Sequence, residues 1–233
     1  MGQESPHAAS DRAKFDAYAD DYAAVHRQNI AITGEPPEYF AVYKRTCLER
    51  LVGEAFDLPV LEFGCGVGMV TEQLAKRFSQ VEGYDPSEQS VGSARSRVPG
   101  ARFHTSLADI PDGKFGLVVL SGVLHHVHPQ ERDGVLRQAV GKLRPGDGRL
   151  VVFEHNPLNP LTRRAVAGCA FDDDAILLWP WEVRRLLKDA GLRAVELRFI
   201  VFLPRALARL RFIEPYLGAV PIGAQVMLVG TRA

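Results

Sequence analysis

The sequence predicts one α/β domain built on a doubly wound, mostly parallel sheet. Three observations predict it. Short apolar runs alternate with helical stretches from Leu58 to Glu154, as in repeated strand–helix–strand units. One of those runs, Phe115 to Ser121, is strongly apolar, as a strand buried on both faces must be. The first run passes through Gly64, Gly66 and Gly68 into a helix, which brings a ligand site to the carboxyl edge of such a sheet.

The elements follow in order. From Ser10 the spacing of Phe15, Tyr18, Tyr22 and Val25 is helical, with Ser10 or Asp11 as N-cap. The stretch 32–37 breaks that helix, and a second runs from about Glu38 to Gly53 with Pro37 suited to its first turn. Strands are expected at Pro59–Phe63, Val81–Tyr84, Ala101–Thr105, Phe115–Ser121 and Arg149–Glu154. The helices between them are Val70–Phe78, Ser87–Arg97 and Gln130–Leu143, the last ended by Arg144-Pro145-Gly146. Beyond them come helices at Asn159–Cys169 and Pro180–Gly191, then strands at Arg193–Phe202 and Gln225–Gly230 around an apolar segment, Leu203–Gly223. No repeat or low-complexity linker interrupts the 233 residues, so they read as one domain: a helical N-terminal part (1–57), a ligand-binding core (58–156) and a sheet-completing part (157–233).

Composition excludes several classes. The 28 basic and 28 acidic residues cancel, which argues against a nucleic-acid partner. No apolar run approaches the roughly 20 residues that span a bilayer, and the polar start to Asp11 is not a secretion signal. The 3 cysteines, Cys47, Cys65 and Cys169, are scattered without a CxxC pair. Free thiols in a cytoplasmic protein are therefore expected, with no metal.

The glycine turn carries the chemistry. Glycine lets the main chain close tightly around a ligand, and the helix that follows offers free N–H groups. Its spacing departs from the dinucleotide fingerprint, because Met69 stands where the last glycine belongs, and no Gly-Lys-Ser/Thr marks a P-loop. Glu62 in the turn would repel phosphate but suits an ammonium group. Asp85, ending the second strand, can accept ribose hydroxyls. A ligand with a ribose, an amino group and no phosphate at the glycines satisfies both acids.

The run Glu62-Phe63-Gly64-Cys65-Gly66-Val67-Gly68 resembles motif I of the class I S-adenosylmethionine (SAM)-dependent methyltransferases. The resemblance continues through Tyr84-Asp85-Pro86-Ser87, Ser106 to Pro111, Phe115 to Val127, and Leu143 to Gly148. It implies a seven-stranded sheet in order 3-2-1-4-5-7-6 with the last strand antiparallel, and SAM as cofactor with S-adenosylhomocysteine as product. It further implies that Gly64, Cys65, Gly66 and Gly68 face the methionine part, Glu62 its amino group, Asp85 with Pro86 the ribose, and Ser121 the sulfonium. Relatives commonly carry an aspartate against adenine where Ser106 stands, so Ser106, the Leu107 backbone and Asp109 are the adenine candidates. Gly116 likewise stands where an aspartate is usual.

Methyl transfer is an in-line displacement, so a base is required only where the acceptor must lose a proton. His125 and His126 follow the fourth strand, as general bases or as packing residues. Glu154 and Asn156 end the fifth, facing the ligand or tying down the loop after it. The resemblance makes the N-terminal helices a lid, with Tyr22 facing the cofactor and Tyr18, Tyr39 and Tyr43 candidates for the acceptor. Arg205 and Arg209 would share a face if Leu203–Gly223 were helical, at the rim of a greasy pocket or on a solvated strip. The expected activity is methylation of a small hydrophobic acceptor of natural-product, quinone or isoprenoid type, without stable membrane insertion. The alternatives are C-methylation of a prenyl phosphate or diphosphate, a non-catalytic SAM-binding regulator, and an NAD-dependent oxidoreductase.

Overall fold

The computed structural model describes residues 33–36, 38–54, 57–169 and 172–233. Strands β1 (Val60–Phe63), β2 (Val81–Tyr84), β3 (Arg102–His104), β4 (Leu117–Ser121), β5 (Arg149–His155), β6 (Leu192–Ile200) and β7 (Gln225–Arg232) form one sheet. Its order is β3-β2-β1-β4-β5-β7-β6. The first five pair in parallel, while β7 runs antiparallel to both β5 and β6, so the expected fold stands.

Alternation along the strands sends side chains to two cores. Leu61 and Phe63 of β1 join Val118, Leu120, Leu150 and Val152 on one face. Helices α4 (Arg132–Lys142) and α6 (Pro180–Asp189) cover that face through Leu136, Ala139, Val183 and Leu187. Val60, Val119, Val151 and Phe153 face the other way, under Ala41 and Leu48 of α1 (Glu38–Val52) and Val70 and Leu74 of α2 (Met69–Ala75). Leu61 and Leu120 lose all solvent contact, each worth about 1.5–3 kcal/mol relative to exposure. Glu62 lies between Val60 and Phe63 on a strand buried throughout, and so points into the core beneath α1 and α2.

Caps set the helix starts. Ser87 Oγ accepts from Ser90 N at 3.0 Å to open α3 (Glu88–Arg97). Asn159 Oδ1 accepts from Leu161 N and Thr162 N to open α5 (Pro160–Ala167), with Pro160 in its first turn.

Two expectations change. Phe115 lies outside β4 and forms a lone bridge to Leu143. The segment after β6 is not an α-helix: Arg205–Tyr216 is 3-10 in character, leaves helical geometry at Leu207 (φ −109°), and holds Pro215. The helical face expected for Arg205 and Arg209 therefore does not form. Gly116 has a packing reason, because a Cβ there would fall 2.2 Å from Leu58 Cδ1. Among the described residues Cys47, Cys65 and Cys169 form no disulfide with one another.

Candidate active site

The turn from β1 to α2 is built by backbone geometry. Gly64 (φ 80°), Gly66 (φ 48°) and Gly68 (φ 79°) all occupy the left-handed region, which costs other residues about 1–2 kcal/mol each. Gly64 N and Cys65 N donate to Tyr84 O at 2.7 and 2.9 Å. Asp85 Oδ2 accepts from Gly66 N at 2.8 Å and Asp85 Oδ1 from Ser87 N at 3.0 Å, so this carboxylate locks the turn to the end of β2. The glycines divide the work. A Cβ on Gly66 would meet nothing within 4 Å, whereas one on Gly68 would sit 3.0 Å from Ala94 Cβ. Gly66 opens onto a cavity; Gly68 lets α2 and α3 pack together.

Beneath the turn lie a buried acid, Glu62, and a half-buried lysine, Lys44. Thr71 Oγ1 donates to Glu62 Oε2. Burial pushes the Glu62 carboxyl up to about 8, against the pull of Thr71 and Lys44. Lys44, on α1, donates from Nζ to Ser121 Oγ at 2.7 Å and lies 5.8 Å from the Phe153 ring centroid. Burial lowers its pKa to about 8, against the pull of Glu62 and Glu154.

The cavity at the carboxyl edge measures about 950 Å³, near the upper end of the roughly 300–1,000 Å³ usual for small-molecule sites. Glu62, Gly64, Cys65, Gly66, Asp85 and Pro86 line one end. Phe40, Phe153, Leu161, Val166, Phe202 and Leu203 supply apolar wall elsewhere. Tyr39 also lines the cavity, while its hydroxyl is buried with no hydrogen-bond partner among the described residues.

Past β4 and β5 the wall is polar. Glu154 accepts from Leu124 N at 2.8 Å, and its Oε2 lies 2.6 Å from His125 Nδ1. His125 Nε2 and His126 Nε2 converge on Asp172 Oδ1, at 3.6 and 3.4 Å. Burial depresses the His125 imidazole, but Glu154 and Asp172 outweigh it and raise its pKa to about 9. Burial and the neighbouring His125 pull His126 down to about 3. His155, buried against His125, falls to about 4.

A methyltransferase-domain family model matches residues 60–146. An uncharacterized methyltransferase of Synechocystis is 35% identical over 143 residues, 59% of this chain and 68% of that one. The chain belongs to the class I SAM-dependent methyltransferases. A ubiquinone biosynthesis O-methyltransferase of Sinorhizobium fredii is 26% identical over 170 residues, covering 64% of this chain and 65% of its own length. Matches to curated relatives span from 44% to 68% of their lengths. Among solved structures, magnesium protoporphyrin IX methyltransferase of Synechocystis with bound SAM shares the fold, at TM-score 0.66 and 17% identity over 100% of both chains.

SAM is the cofactor of this family, and the residues here fit it. Gly66 presents open space where any side chain would intrude, and Glu62 and Asp85 offer separate acids at the same end of the cavity. Of the residues read from the sequence, Glu62, Gly64, Cys65, Gly66, Asp85, Pro86, Leu107, Ser121, His125, His126, Glu154 and Tyr39 line one cavity. Others lie outside that lining. Gly68 packs against Ala94. Ser106 Oγ caps the short turn Leu107–Asp109 by accepting from Ala108 N, and Asp109 is exposed, so only Leu107 of the adenine candidates reaches the cavity. Asn156 is fully buried and donates to Pro221 O and Gly223 O while accepting from Leu158 N, which makes it a loop anchor. Tyr43 OH donates to Glu214. Arg205 and Arg209 are exposed and outside the lining. Tyr18 and Tyr22 lie outside the described residues.

Sequence reasoning missed Lys44 and Asp172. Lys44 had a signal: it falls at helical spacing with Ala41 and Leu48, on the stripe that α1 buries. Asp172 had none, since a loop between helices carries no period.

Proposed function

We propose that this methyltransferase transfers the methyl group of SAM to a small, largely apolar acceptor of natural-product, quinone or isoprenoid type. The carrying observation is the single cavity that joins the glycine turn to an apolar wall with room for a second ligand. In this reading Glu62 holds the ligand ammonium, Asp85 the ribose hydroxyls, and Lys44 with Ser121 the neighbouring polar atoms. Residues 58–156 form the cofactor core, 157–233 the acceptor side, and α1 with the residues before it the cover.

SAM supplies an electrophilic methyl group on its sulfonium. The protein's work is to place a nucleophile in line with it and to exclude water. Phe40, Phe153 and Phe202 desolvate the acceptor's body. The Glu154–His125–Asp172 cluster with His126 forms the polar wall toward which a reacting oxygen turns. The arginines that motivated a prenyl phosphate lie outside the lining, so an uncharged acceptor is favoured. The O-methylation named for the Sinorhizobium relative also supports an oxygen nucleophile.

Mass spectrometry of S-adenosylhomocysteine release tests this, with hydroquinones, phenols, prenyl alcohols and prenyl phosphates as acceptors. Methylation of a phenol or quinol is expected. Release with prenyl phosphates alone overturns the acceptor class. SAM binding with no turnover on any acceptor favours a regulator, and NAD binding without SAM binding an oxidoreductase.

A further inference from the structure

Three side chains of the polar wall converge in a way that packing alone does not require. His125 Nε2, His126 Nε2 and a carboxylate oxygen of Asp172 all lie within 4.8 Å of one another. Two nitrogens face the same Oδ1, at 3.6 and 3.4 Å. Ligands held about 2.0–2.1 Å from a tetrahedral zinc ion stand roughly 3.3–3.4 Å apart, so small side-chain movements would close the set on one ion. The remaining nitrogen of His125 is already committed, with Nδ1 lying 2.6 Å from Glu154 Oε2. A carboxylate behind a ligating imidazole fixes its tautomer and turns the other lone pair toward the metal.

The backbone holds the two loops together. Arg132 Nε donates to Leu124 O and Val127 O on either side of the histidines, both at 3.0 Å. Its Nη2 donates to Ile176 O at 2.7 Å on the loop that carries Asp172. Ile176 N donates back to His125 O at 2.8 Å. The side chains of His125, His126 and Asp172 are 2%, 15% and 13% exposed, which withdraws the donors from bulk water while leaving them at the cavity wall.

We propose that His125, His126 and Asp172 bind a divalent transition-metal ion of the zinc class, with Glu154 positioning His125. Two imidazoles and one carboxylate suit Zn²⁺, Co²⁺ or Fe²⁺ and disfavour Mg²⁺ and Ca²⁺, which prefer all-oxygen sets. Three protein ligands leave further coordination to a water molecule or to a hydroxyl or carbonyl oxygen of the acceptor. Such an ion lowers the pKa of a bound hydroxyl and holds its oxygen in place, so His126 need not act as a base. The metal site extends the acceptor half of the proposed function, but its binding chemistry stands without methyl transfer.

Chelator-treated full-length protein titrated with Co²⁺ tests it through the visible absorption of the bound ion and by calorimetry. One equivalent is expected to bind. His126→Ala and Asp172→Asn should weaken binding by at least about tenfold, and Glu154→Gln by about 10–100-fold. His104→Ala, whose imidazole pairs with Glu82 away from the cavity, should bind as wild type. Unchanged SAM affinity certifies that each variant is folded. Wild type that takes up no Co²⁺, or folded variants that take it up equally well, overturns the site and leaves a hydrogen-bonded imidazolium. Methyl transfer by metal-free protein would overturn only the ion's part in catalysis.

Discussion

The two ends of the cavity are built by different means. At the cofactor end the main chain does the work: three left-handed glycines, backbone N–H groups on Tyr84 O, and one carboxylate across the turn, all within Glu62 to Ser87. At the proposed acceptor end side chains do it, and they come from the loop after β4, the end of β5 and the loop before α6. A site made from backbone demands particular residues at short spacing. A site made from distant side chains demands only that the fold bring them together, and can change one residue at a time.

Cofactor-end substitutions should therefore change SAM affinity, and acceptor-end substitutions turnover. Asp85→Ala should have the largest effect, because it removes the ribose acceptor and frees Gly66 N and Ser87 N together. A loss of about 1.5–3 kcal/mol in SAM binding by calorimetry is expected, and unchanged affinity would remove Asp85 from the site. Gly66→Val comes next. Its side chain would enter the open space beside the turn, at a cost of about 1–3 kcal/mol in SAM affinity on top of the stability lost to a β-branched residue at φ 48°. Gly68→Ala should instead lower thermal stability, by about 1–2 kcal/mol, because the strain and the Ala94 contact lie away from the ligand. Equal effects of the two glycine variants on SAM binding would erase the distinction drawn between them.

A smaller effect follows from pH. In the proposed reading Glu62 binds an ammonium as the carboxylate, yet burial holds its pKa at about 8 in the ligand-free protein, with Lys44 and Asp85 as the charged neighbours acting on it. Binding therefore releases a proton, and SAM affinity should rise between pH 6 and 8 by up to about tenfold per unit, then level off. Glu62→Gln should flatten that profile; a slope that survives it assigns the proton elsewhere. The smallest effect on the cofactor is expected from His126→Ala. It should leave SAM affinity within about twofold while lowering turnover on any acceptor found, since its side chain faces Asp172. A parallel loss of SAM binding and thermal stability would recast His126 as a packing residue.

The same division explains what was legible in the sequence. Strand order, the glycine turn and Asp85 could be read because apolar periods and left-handed glycines leave local marks. The acceptor candidates were read less well. Arg205 and Arg209 would have shared a face only on a helix, and Pro215 with the break at Leu207 keeps that segment from forming an α-helix, leaving both on the solvated strip that was the other reading. Asn156 has the same polarity as a ligand-binding residue, and only its three loop hydrogen bonds reveal what it does. Ser106 was legible as a departure, yet its role as a cap depends on a turn too short to leave a period. Lys44 was readable in principle, as a charge on the stripe that α1 buries.

Arg132, only 2% exposed, joins three carbonyls and Glu182 with one guanidinium. On the two loops it meets main-chain oxygens only, so those contacts do not depend on which side chains the loops carry. Residues around 124–127 and 172–176 could be exchanged for others and still dock in the same register. One buried clamp beneath two loops gives a scaffold on which side chains at the proposed acceptor end can be changed while the glycine turn stays as it is. Grafting a loop from another methyltransferase between Cys169 and Leu178 is thus a more promising route to a new substrate than redesigning the wall residue by residue.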